Sequence, residues 1–79
     1  MNIQKGSIVR AKAGRDKGGF FVVLGVSNGF AFIADGKRRR LEQPKKKNLL
    51  HLAATNTVYE GSIQTNPQIK RILSPFNGG

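Results

Sequence analysis

At 79 residues the chain has room for one domain with a single modest core, and none for a separate catalytic domain. It has no cysteine and one histidine, which excludes a disulfide framework and a thiolate zinc site and leaves the fold resting on packing. Lysine and arginine number 14 against 4 aspartates and glutamates, a formal net charge of +10 that attracts polyanions and makes nucleic acid the first partner to consider.

Residues 7–13 alternate, with Val9, Ala11 and Ala13 on one face and Ile8, Arg10 and Lys12 on the other. That is the period of a half-solvated strand whose outer face is mostly basic. Gly14-Arg15-Asp16-Lys17-Gly18 then reads as a glycine-bounded turn with its three charged side chains outside. Residues 20–26 are apolar on both faces and rich in β-branched and aromatic side chains, which predicts a central strand covered on both sides. Ser27-Asn28-Gly29 is a tight-turn signal, and residues 30–34 form a third strand with Phe30 and Phe32 on one face and Ala31 and Ile33 on the other. Asp35-Gly36 offers a further hairpin turn. Residues 37–42 are then predicted as a fourth strand at a sheet edge, where both faces of four consecutive cations, Lys37 to Arg40, meet solvent.

Gln43-Pro44 breaks the ladder, since proline donates no backbone hydrogen bond, and Lys45-Lys46-Lys47 reads as a solvated linker. Residues 48–53 resume a strand with Leu50 and Leu52 facing the core and His51 facing out. Residues 54–65 are a polar connector with some extended structure around Val58 and Tyr59. Asn66-Pro67 opens a helix, with asparagine as N-cap and proline in the first helical position. Ile69, Ile72, Leu73 and Phe76 share one face of it, and a helix this short must dock that face to be stable. Ser74-Pro75 ends the helix, and Gly78-Gly79 is read as a frayed terminus.

Gly6, Val9, Ala11, Gly14, Lys17, Gly18, Val22 and Val26 fit a pattern of glycine, alternating hydrophobics, a Gly-x-x-Lys-Gly turn and a second hydrophobic strand. This resembles the KOW motif, the first hairpin of an SH3-like barrel. The run from Asp35 through Asn48, followed by His51-Leu52, is similar to the continuation in KOW-domain RNA-binding proteins related to archaeal and eukaryotic large-subunit ribosomal proteins, so the resemblance spans residues 5–56. It implies an all-β fold, a small five-stranded SH3-like barrel of the KOW type over residues 1–56. Residues 57–79 supply a connector and a short C-terminal helix packed on the barrel in the same domain. It also implies a ribosome-associated or ribosome-assembly role, with ribosomal RNA as ligand and ribosomal proteins as neighbours.

The candidates for RNA contact are Arg10 and Lys12 on the first strand, Arg15 and Lys17 in the turn, Lys37, Arg38, Arg39 and Arg40 in the fourth strand, and Lys45, Lys46 and Lys47 in the linker. An arginine fork holds a phosphate with two hydrogen bonds and stacks on bases, which assigns the ordered contacts to Arg38, Arg39 and Arg40 and the diffuse ones to the lysine run. Residues 37–47 carry seven cations and one carboxylate, Glu42, whereas an ordinary solvated face mixes its signs. Phe20, Phe21, Phe30 and Phe32 read as core and Tyr59 as surface, so recognition is expected to follow the backbone and shape of a folded RNA, with limited base reading.

No enzyme activity, metal or cofactor is expected. Asp16, Asp35, Glu42 and Glu60 are scattered, Ser27, Ser62 and Ser74 lack a nucleophile-elbow context, and no Gly-Lys-Ser or Gly-Lys-Thr completes a phosphate loop. No stretch approaches the roughly 20 apolar residues of a membrane span, and Asn2, Gln4 and Lys5 do not lead into a signal-peptide core. A cytoplasmic protein, monomeric when free and without a membrane partner, is the expectation. Two alternatives stand beside the ribosomal one. One is a transcription-associated KOW factor contacting RNA polymerase or nascent RNA. The other is a protein-interaction adaptor that docks through a barrel edge or the helix face.

Overall fold

The computed structural model describes residues 2–77, so the Gly78-Gly79 terminus lies outside the described residues. The chain forms five strands, β1 (Ser7–Ala11), β2 (Phe20–Ser27), β3 (Phe30–Ala34), β4 (Lys45–Asn48) and β5 (Leu52–Val58), and one helix, α1 (Asn66–Leu73). The strands make one antiparallel sheet in the order β4-β3-β2-β1-β5. No helix among the described residues is long and apolar enough to cross a membrane.

The central strand β2 is covered on both faces, as its composition predicts. Phe21 and Val23 pack on one side with Val9, Ala11, Ala31, Ile33 and Leu52. Val22 packs on the other with Ile8, Ala34 and the helix residues Ile69 and Leu73. Each fully buried isoleucine or leucine contributes about 1.5–3 kcal/mol, and Ile8, Ile33, Ile69 and Leu73 are all of this kind. Of the residues expected on the outer face of β1, Arg10 and Lys12 are exposed, whereas Ile8 is buried under α1.

The first cluster sits inside a curl of the sheet. In a flat sheet β4 and β1 would lie about 14 Å apart, yet Lys47 Nζ on β4 donates to the carbonyl of Ala13, just past β1, at 2.8 Å. The short 3₁₀ turn Leu49–His51 completes the approach, with His51 accepting from Lys12 N–H at 2.8 Å. Among the described residues no ladder joins β4 to β5, so the sheet is curled but open. The β2–β3 connection forms as predicted, with Asn28 at φ 49° and Gly29 at φ 83°, the two positive angles a type I′ hairpin needs.

Residues 37–42 do not form the predicted fourth strand. The ladder from β3 resumes with Ile33 opposite Lys45, so the lysine run read as a linker is β4 itself. Asp35 accounts for the difference, since its Oδ1 accepts from the backbone N–H groups of Lys37 and Arg39, each at 2.9 Å, and this local pairing replaces a ladder. At a sheet edge one flank of the strand stays in water, which accommodates Lys45 and Lys46.

Leu50 is not in the core and is 80% exposed. Asn48 Oδ1 accepts from Leu50 N–H at 2.8 Å and starts the 3₁₀ turn, whose period replaces strand alternation and turns Leu49 inward in place of Leu50, while Leu52 faces the core as expected. Strand β5 then takes in the first part of the polar connector, because an edge strand paired with β1 needs few apolar side chains; Thr55 Oγ1 donates to the Ile8 carbonyl at 2.7 Å. The N-cap of α1 is Thr65, whose hydroxyl accepts from Gln68 N–H at 3.2 Å, and not Asn66. The predicted apolar face docks on the sheet: Ile69 and Leu73 are buried, Ile72 and Phe76 pack at the rim, and the Phe76 and Phe20 rings lie 5.6 Å apart.

Candidate nucleic-acid interface

Antiparallel pairing puts the β1–β2 loop and the β3–β4 loop at the same end of the sheet. Both are rich in cations, and an ion pair ties them together. Arg39 donates from Nε and Nη2 to Asp16 Oδ1 and Oδ2 at 3.3 and 3.0 Å. Asp16, expected outside with its charged neighbours, is buried by this contact. Sequence position gave no sign of it, because the partner lies in a different loop.

The β3–β4 loop is also held from the helix side. Asn66 Oδ1 accepts from Leu41 N–H at 2.7 Å, and its Nδ2 donates to Glu42 Oε1. Gly36, at φ 81°, presses against the first turn of α1, where a Cβ would stand 2.6 Å from the Asn66 carbonyl oxygen and 3.1 Å from Lys70 Cγ. That contact makes glycine obligatory and brings Lys70, absent from the sequence candidates, beside the arginine loop. The hydrogen bond from Asn66, with the Arg40 guanidinium behind it, holds the Glu42 carboxyl below its usual range.

The predicted contact residues therefore divide. Arg15, Lys17, Lys37, Arg38 and Lys45 are exposed at this end, and among the described residues no carboxylate lies within ion-pair distance of them. Arg40 is exposed and paired with Glu42 at 3.3 Å. Arg39 is half-buried and serves as a strut, not as an ordered phosphate contact. Lys47 is buried and committed to the Ala13 carbonyl, so it is not part of a diffuse cationic fringe. Arg10 and Lys12 are exposed on and just past β1, with Lys12 lining an open groove of about 660 Å³ beside Ile3, Leu49 and Leu50.

The phenylalanines divide as well. Phe21 is buried and Phe20 packs under the helix, but Phe30 and Phe32 are half-buried and pack into neither core cluster. Their neighbours Ala31 and Ile33 take the inward positions, which leaves both rings on the outer face of β3. Lys46 on β4 places its Nζ over the Phe30 ring, 4.5 Å from its centre. The strand alternation already separated Phe30 and Phe32 from Ala31 and Ile33; which pair faced the core was not legible, since the larger side chains were the more natural choice for burial. Tyr59, read as surface, is half-buried, and its hydroxyl accepts from Gln68 Nε2 at 3.1 Å.

Compared with models of known protein families the chain matches none, and no curated protein matches it in sequence.

Proposed function

We propose that the chain is a non-catalytic RNA-binding protein, an SH3-like barrel of the KOW type that holds structured RNA, ribosomal RNA first, at the cation-rich end of its sheet. The observation that carries this reading is the gathering of Arg15, Lys17, Lys37 and Arg38 on two loops braced by the Asp16–Arg39 pair, with Lys45 at the start of β4 beside them and, among the described residues, no carboxylate within ion-pair distance of their side-chain charges. Unbalanced, positioned cations of this density fit a phosphate backbone, whereas a merely soluble surface alternates its signs. The strand order and the curl of the sheet support the barrel assignment, and the Gly-x-x-Lys-Gly turn supports the KOW one. A ribosomal or ribosome-assembly role follows from the resemblance of residues 5–56. The helix face packs on the sheet, with Ile69 and Leu73 buried and Ile72 and Phe76 at the rim, which weighs against its use as the docking surface of an adaptor.

Ultraviolet crosslinking of the protein to RNA in its own cells, with sequencing of the bound fragments, tests the proposal. Reads concentrated at a few sites in ribosomal RNA are expected. Reads spread over nascent transcripts would move the function to transcription, and an absence of crosslinked RNA would overturn RNA binding.

A further inference from the structure

We propose that the outer face of β3 and β4, built from Phe30, Phe32 and Lys46, is a stacking platform for an unpaired RNA base. The inference rests on the RNA reading above and adds the class of RNA: a strand with unpaired nucleotides beside the segment whose phosphates the basic loops hold.

Two aromatic side chains on a short strand ordinarily belong to a core, and here they do not. The other three phenylalanines all pack into one of the two clusters, while Phe30 and Phe32 stay half-buried outside both. They project from the same face about 7 Å apart along the strand. Phe32 lies opposite Gly25 on β2 and Lys46 on β4, and Phe30 lies opposite Ser27 and Asn48. Gly25 carries no side chain, and a Cβ built there would meet nothing within 4 Å, so the floor beside the Phe32 ring is open.

The cation decides what kind of planar group this face suits. Lys46, the register partner of Phe32, holds its ammonium group over the Phe30 ring, and Lys45 precedes it at the start of β4, where the strand leaves the cation-rich loop. A base laid on the Phe32 ring brings its own phosphate, and the ammonium group seated over the neighbouring Phe30 ring can meet that charge. An apolar protein side chain would find the rings but would bring nothing to satisfy the lysines. Duplex RNA offers neither of its grooves to such a platform, because its base faces are stacked inside, so the fit is to a loop, bulge or single strand.

The test uses the full chain with two probes, a single-stranded RNA of about eight nucleotides, a typical site size for sheet platforms, and a duplex of the same sequence. Addition of the single strand is expected to move the Phe30 and Phe32 ring-proton resonances upfield, and the duplex to leave them in place. Phe32→Leu, which keeps apolar volume and loses the ring, is expected to weaken single-strand binding about 5- to 150-fold and to change duplex binding less than about twofold, with Phe32→Tyr restoring the loss. If the wild-type chain binds neither probe, the RNA reading falls and the platform with it. If both probes bind but the rings stay unmoved and Phe32→Leu changes nothing, the platform alone is overturned and the face is left to an apolar protein partner. An equal loss for both probes would assign Phe32 a structural role and likewise overturn the platform.

Discussion

A buried carboxylate is costly without a cation against it, and the Asp16 side chain, 4% exposed, has Arg39 donating to both of its oxygens. Removing the arginine strands that carboxylate under the loops. Arg39→Gln is therefore expected to lower stability by about 1–3 kcal/mol, while Arg38→Gln, on an exposed neighbour, stays within about 0.5 kcal/mol. Urea unfolding of the two variants measures the difference, and adding Asp16→Asn to Arg39→Gln should recover part of the loss. Equal stability in both variants would remove the strut. Nothing in the sequence separates these adjacent arginines, because the distinction depends on a residue in another loop. The same holds for Lys45, Lys46 and Lys47. Once they lie in a strand, the pleat sends Lys47 inward and Lys46 outward, but the register that fixes this, Ala31 opposite Lys47, is a property of the folded pair.

Helix α1 was legible because its apolar spacing and its proline agree with each other, and its docked face follows from both. Ile69→Asp places a charge where the side chain is fully buried and is expected to unfold the chain. Ile72→Asp, at the rim, is expected to lower the melting temperature and leave the strands intact, as circular dichroism of the two variants will report. A folded Ile69→Asp variant with unchanged melting would mean that the sheet does not need the helix. The first three strands were legible for a similar reason, as alternation, turn residues and composition point the same way. Strand β4 was not. A run of four cations after Asp35-Gly36 and a run of three after Pro44 look alike at the level of pattern, and the choice between them was made by the side chain of Asp35 and by Asn66 reaching from the helix.

A net charge of +10 on a molecule with a radius of gyration of 11.0 Å puts every cation near the others, so binding a polyanion relieves repulsion as well as forming contacts. The folded arrangement sharpens this into a countable expectation. Arg15, Lys17, Lys37, Arg38 and Lys45 are exposed and unbalanced at one end, with Lys70 beside them, and if these neutralise phosphates on a single strand, log K should fall against log salt with a slope of about −4. Arg38→Gln removes one contributing charge and should make the slope shallower by about 0.7. Lys47→Gln removes the same formal charge from a buried site that faces Ala13, so it should leave the slope unchanged and appear in stability instead. Titrations of both variants over a range of salt concentrations compare them directly. Identical changes in slope would mean that net charge alone governs binding and that the loops do not form a site; a change confined to Arg38 would tie affinity to the braced end of the sheet.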